Sequence, residues 1–181
     1  LLMVHSDDPP SLLDAWHANV EDEFDFANEG SRLEVKTTTR DRRVHVFSLG
    51  QLKPVLGSHV RIVSMMTTET VSGSSVADLL IQLEGRLKGD PDRQILAHAR
   101  VAEILGRGWQ KESLRRFDAQ EALASLVVVA PNDVPQVDCG PPEVLHVSIT
   151  VDCSELASEA ISVGLAGLVP APGGGSRSGL S

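Results

Sequence analysis

From Glu23 to Leu52 the chain reads EFDFANEGSRLEVKTTTRDRRVHVFSLGQL. Two short runs in it alternate with period two, Phe24-Asp25-Phe26 and Leu33-Glu34-Val35-Lys36. They flank a turn-like segment, Asn28-Glu29-Gly30-Ser31. Closing that segment as a four-residue hairpin loop pairs position 27 with 32, 26 with 33 and 25 with 34. Asp25 then stands opposite Glu34, with Cβ atoms about 5 Å apart. Lys36, two residues beyond Glu34, shares its face, and Phe24, Phe26, Leu33 and Val35 take the other face, toward a core.

Like charges facing one another across a ladder destabilise it. The pair becomes tolerable if it shares a proton, gains a cationic neighbour or binds a metal. Lys36 is such a neighbour, and two carboxylates form an oxygen-only donor set suited to a hard divalent cation. Magnesium keeps several waters and takes one or two carboxylates from protein. Such an ion acidifies water and stabilises charge on a phosphate oxygen.

The pattern D-x8-E-x-K on a β-hairpin resembles the active site of the PD-(D/E)XK nuclease superfamily. The longer string FDF…G..LEVKTT…R.H.FS..QL is similar to one subfamily, the PD-(D/E)XK motif proteins associated with restriction-modification and phage defence. The similarity runs through about residues 1 to 155. It implies an α/β, restriction-endonuclease-like mixed sheet flanked by helices. It also implies Mg2+ or Mn2+ held by Asp25, Glu34 and the Val35 carbonyl, with Lys36 positioning or activating the attacking water. In several nuclease branches a glutamine on the helix after the E-x-K strand reaches the active site, and Gln51 matches that position. An earlier helix carrying a further acid is implied as well; Leu1 to Val4 reads as its cut end, so the chain reads as an N-terminally truncated member.

The net charge of −9 looks wrong for a nucleic-acid partner, but its distribution is uneven. Residues 1 to 31 hold eight acids and no Lys or Arg, whereas residues 32 to 53 carry six bases against Glu34 and Asp41, a local +4. Phosphate binding responds to the local value, so Arg40, Arg42 and Arg43 are candidate phosphate contacts, or else a solvated turn. The global value argues against tight duplex binding that ignores sequence. No apolar run approaches membrane-spanning length, and no basic leader precedes an apolar segment, so a cytoplasmic location is expected. Cys139 and Cys153 lie far apart with no C-x-x-C, which reads as two free thiols rather than zinc ligands or a disulfide.

In chain order, Asp8-Pro9-Pro10 caps a short helix, and Trp16 belongs to the core beside the first strand. His17 reads as a surface residue. Glu21-Asp22-Glu23 reads more readily as a solvated acidic run than as further metal ligands. After the Arg40-Asp41-Arg42 turn, residues 43 to 47 alternate again and suggest a second hairpin. Val44 and Val46 share one face and His45 takes the other, where it either touches substrate or water or is a partly exposed strand histidine; alternation alone leaves both open. Ser48 caps a short helix limited by Pro54.

Val60 to Met66 suits a central parallel strand reached by crossover. Ser75 with Asp78 opens a helix whose Val76, Leu79, Leu80, Leu83 and Leu87 form one apolar stripe. Asp90-Pro91 opens another that ends near Leu105, its His98 at the surface or the core edge. The following Gly106-Arg107-Gly108-Trp109 is no phosphate cradle, since no strand precedes it. Leu126 to Ala130 and Val144 to Val151 read as strands, with His146 structural or exposed, and a proline-bearing loop lies between them. Residues 1 to 163 are expected to form one domain and 164 to 181 a flexible tail.

The function expected is Mg2+-dependent hydrolysis of DNA phosphodiesters, an endonuclease of restriction-modification or phage defence, with DNA and other restriction-modification proteins as expected partners. The alternative is a non-catalytic interaction module on the same scaffold. A carboxylate-dyad glycosidase ranks last, because a chain with 3% aromatic residues and no Tyr has few platforms for stacking sugars.

Overall fold

Ser31–Thr38 alternates Leu33 and Val35 with polar neighbours and ends in two strand-favouring threonines, and it forms the strand on which the molecule is assembled. The structure, a computed structural model, describes residues 1–17, 22–28, 30–53, 57–137, 144, 146–156 and 159–160. Glu21, Glu29, Pro54, Cys139, Pro141, Pro142 and the expected tail lie outside the described residues.

Helices α1 (Leu2–His5) and α2 (Pro9–Asp14) come first, followed by β1 (Phe26–Ala27), β2 (Ser31–Thr38), β3 (Val44–Ser48) and α3 (Leu49–Leu52). Next are β4 (His59–Met66), β5 (Glu69–Ser75), α4 (Val76–Arg86), α5 (Pro91–Leu105) and α6 (Trp109–Glu112). The last elements are β6 (Arg116–Phe117), α7 (Ala119–Ala124), β7 (Val127–Val129), β8 (Ser148–Asp152) and β9 (Glu159–Ala160). Five strands form a mixed sheet in the order β1-β2-β4-β7-β9. Only β2 and β4 run parallel, in register from Ser31 beside His59 to Thr38 beside Met66. β1 is antiparallel to β2, with Phe26 opposite Leu33 and Ala27 opposite Arg32, the register that a four-residue loop dictates.

The helix starts are explained by local chemistry. Asp8 and Asp90 each accept a backbone N–H three residues on and precede a proline, whose missing donor costs nothing at a first turn. Ser48 with Gln51 and Ser75 with Asp78 close reciprocal capping boxes, each satisfying two orphaned N–H groups.

Period two in the strands then divides the core. One sheet face carries Phe26, Leu33, Val63 and Met65 against α1, α2, α4 and α5, through Leu2, Leu12, Leu13, Leu80, Leu83, Ala97 and Val101. Trp16 stacks on Phe26, with ring centroids 6.4 Å apart. The other face carries Ile62 and Val129 against Phe47, Leu52, Val134 and Cys153. Cys153 is a buried free thiol.

The expected second hairpin does not form. β3 pairs with β8, more than a hundred residues later, with Val44 opposite Asp152 and Ser48 opposite Ser148. β4 holds one flank of β2 along its whole length, and past the 40–42 turn β3 pairs with β8 rather than with the other flank. The β3–β8 ribbon covers the second sheet face instead. It turns His45 and Phe47 inward, at 4% and 0% exposure, and leaves Val46 at 54%. The small β5–β6 sheet is a further element that the sequence pattern did not suggest.

Candidate active site

β1 stops at Phe26, so the edge of β2 beyond Leu33 has no strand partner on that side. Asp25 fills the gap with its side chain: its Oδ2 accepts the Val35 N–H at 2.7 Å. The N–H and C=O of one strand residue leave the same edge, so the Val35 carbonyl faces this side as well. The Asp25 carbonyl accepts the His17 N–H at 2.8 Å, which anchors the segment from behind.

Glu34 is buried at 6% exposure, and its Oε1 pairs with Lys36 Nζ at 2.6 Å. The Lys36 ammonium also lies over the Phe47 ring, 5.4 Å from its centroid. Desolvation holds the Asp25 carboxyl above its ordinary range, against the opposing pull of the Val35 N–H and Lys36. Glu34 is raised by desolvation first and by the Asp25 charge second, again against Lys36. The sequence pattern therefore brings together Asp25, Glu34, Val35 and Lys36, and the two carboxyls do repel one another.

His45 is drawn to the same layer but points elsewhere. Its Nε2 lies 2.8 Å from Ser64 Oγ, and its ring meets Phe47 edge-on, at 6.3 Å between centroids. Burial, with the nearby Lys36 and Arg43 charges, lowers its pKa to about 4, so the imidazole is neutral at physiological pH. Gln51 is engaged on both ends of its amide: Oε1 accepts the Ser48 N–H at 3.2 Å and Nε2 donates to the Glu23 carbonyl at 3.0 Å. It braces the segment that leads into Asp25. Arg43 turns inward, donating to the Ser64 hydroxyl and to the carbonyls of Ser64 and Ser125. Arg42 pairs with Asp152.

Phe47 and Ser64 had no signal of their own in the sequence. Phe47 read as one more apolar residue of an alternating run. Ser64 becomes a neighbour of Lys36 only through the parallel β2–β4 register, which places the two side by side.

A cavity of about 420 Å3 opens on the helix-covered face; Asp25, Val35, Thr37 and Trp16 line part of it. Asp25 therefore stands at the sheet edge, in reach of that cavity and of Glu34.

The residues fit a divalent cation. The donors are all oxygen, and among the described residues no cluster of three or more His, Cys, Asp and Glu offers a richer set. Two carboxylates with several waters is the ligand economy of magnesium. Burial raises both carboxyls, and the Asp25 charge raises Glu34 further; a bound cation would oppose both effects.

No described helix is long and apolar enough to cross a membrane. No curated protein and no solved structure matches the chain. Residues 2–154, most of its length, match one protein family. With the mixed sheet, flanking helices and carboxylate-lysine hairpin in place, the chain belongs to the family described as "Putative PD-(D/E)XK family member, (DUF4420)".

Proposed function

We propose that the protein hydrolyses DNA phosphodiesters with Mg2+ or Mn2+, as an endonuclease of restriction-modification or phage defence. The observation that supports this reading is the half-buried Asp25 beside the buried Glu34, with the Lys36 ammonium 2.6 Å from Glu34. Asp25, Glu34 and the Val35 carbonyl would hold the ion, which supplies charge to stabilise the phosphate oxygens and acidifies water. Lys36 Nζ orients the attacking water and offsets charge that develops on the phosphate. Gln51 and His45 act by orientation: Gln51 fixes the backbone before Asp25, and His45 packs beside Phe47 under Lys36.

The test is cleavage of methylated and unmethylated DNA, with Mg2+ or Mn2+, by the wild type and by Lys36→Gln. Glutamine keeps a donor for Glu34 and removes the charge, so the rate should fall about 10²- to 10⁴-fold. Undiminished cleavage by that variant would defeat the assignment of Lys36.

A non-catalytic interaction module is the second reading, and the burial of Glu34 is what favours it. A carboxylate closed off from substrate suits a scaffold kept for binding. Metal-induced stabilisation without cleavage of any DNA would support this module.

A further inference from the structure

The ribbon that carries Phe47 is not joined to the main sheet by a ladder. Among the described residues β3 pairs with β8 alone. Its apolar contacts, Phe47 with Ile62 and Val129 among them, are non-directional and do not fix how far the ribbon slides along the sheet. Directed bonds do, and three of those made by Arg43 and His45 converge on one residue. Ser64, fully buried on β4, has its hydroxyl 2.8 Å from His45 Nε2 and 2.9 Å from Arg43 Nη1. Arg43 also donates to the Ser64 carbonyl at 3.1 Å and to the Ser125 carbonyl. Both Arg43 and His45 bracket the start of β3, and Phe47 lies two residues beyond His45 on the same inward face.

Ser64 is also the register neighbour of Lys36. Arginine is always a donor, so the serine oxygen accepts from Arg43 and its own proton is available to His45 Nε2. The chain Arg43–Ser64–His45 thus ties the ribbon to the strand beside Lys36. A lysine stem is otherwise a flexible four-carbon chain. Here its head is caught between the Glu34 carboxylate and the face of Phe47.

We infer that Ser64, with Arg43 and His45, positions Lys36 for the proposed hydrolysis by pinning Phe47 of β3 against the Lys36 ammonium group; this rests on the nuclease reading above. Ser64, Arg43 and His45 are positioning residues in this account, and none of them exchanges a proton with substrate.

The experiment uses the full chain and two readouts. The first is the NMR shift of the Lys36 ε-methylene protons, which the Phe47 ring displaces upfield when the stem lies over its face. The second is kcat and KM for DNA cleavage with Mg2+. Ser64→Ala and His45→Leu should each lose the upfield shift and lower kcat about tenfold to a hundredfold, as a displaced catalytic group does, with KM little changed. His45→Gln places an amide where Nε2 stood and should recover most of what His45→Leu loses, which a proton-transferring histidine would not allow. Arg43→Lys keeps the charge, loses the two-armed grip, and tests the chain without emptying the Ser64 site.

Retention of the upfield shift in folded Ser64→Ala and Arg43→Lys would overturn the inference. So would its loss with kcat untouched. If the wild type cleaves no DNA, the nuclease reading fails, and the ring-current comparison still decides whether Ser64 sets the Phe47–Lys36 contact.

Discussion

Asp25 and Glu34 are held where neither is comfortable. Both carboxyls are raised above their ordinary values of 3.8 and 4.5, chiefly by burial. In the unfolded chain they release protons more readily than in the folded one. Between those ordinary values and the raised ones, the folded state binds more protons. The contribution of these two groups to stability is therefore fully present below their ordinary values and is lost as pH rises through the raised ones. Asp25→Asn removes one charge while its amide oxygen can still accept the Val35 N–H. Without metal at pH 7.5 it should be more stable than the wild type by about 1 kcal/mol, the scale of a facing like-charge pair. That corresponds to a thermal midpoint roughly 2–4 °C higher. Millimolar Mg2+ should raise the wild-type midpoint and leave the variant's almost unmoved. Equal metal responses in the two proteins would show that the ion binds elsewhere. The pairing of Phe26 with Leu33 was legible before any coordinates, because a hairpin loop of known length sets the register; the ladder ends before Asp25, whose bond to the Val35 N–H was not legible. The partners of His45 were not legible: alternation tells which side a residue takes, not what waits there.

Among the elements, those governed by local chemistry were readable and those governed by distant pairing were not. Asp8, Ser48, Ser75 and Asp90 announce their helices by capping groups within three residues. β3 announces a strand, but its partner β8 is set by which sheet edges remain open, and that depends on the whole topology. β5, read as ETVSGSS, has no apolar alternation to reveal it. What makes it a strand is close approach. A Cβ on Gly73 would lie 2.2 Å from the Phe117 carbonyl oxygen, a backbone atom that cannot swing aside. The register of β5 against β6 also shifts between Glu69 and Ser74, so Gly73 lies where the strand is bulged. Gly73→Ala should cost roughly 1–3 kcal/mol, the usual penalty for overpacking, seen as a lower midpoint in thermal unfolding. Gly30→Ala is the control: nothing lies within 4 Å of its added carbon and its N–H contact to Asn28 is kept, so its midpoint should hold or rise slightly. Equal losses in both would show that glycine flexibility, not the Phe117 contact, is what matters.

For the whole molecule, the proposed function asks how a chain of net charge −9 would meet a polyanion. The run from residue 32 to 53 holds a local +4 in sequence, yet folding spends much of it internally. Lys36 neutralises Glu34 and Arg42 pairs with Asp152. Arg43 is turned into the protein against Ser64 and Ser125. Arg32 donates to the carbonyls of Asn28 and Ser31. Elsewhere Arg93 serves Asp14 and Asp90, Arg115 serves Glu69, and Arg116 serves Asp78. Charge counting along the sequence could not foresee this, because it treats every cation as outward-facing. The 32–53 run therefore offers a duplex less free positive charge than its sequence suggests. Each phosphate contact contributes about −0.9 to the slope of log K against log salt. Binding of this protein to a mixed-sequence duplex, measured by fluorescence anisotropy across a salt series without metal, should give a slope no steeper than about −3. A slope near −6 would require the inward cations to turn out toward the phosphates, and with them the Arg43 grip on Ser64 to open. Shallow salt dependence that steepens when Mg2+ is added would instead locate the attraction at the carboxylate pair, where a bound ion would turn two repelling acids into a site for a phosphate.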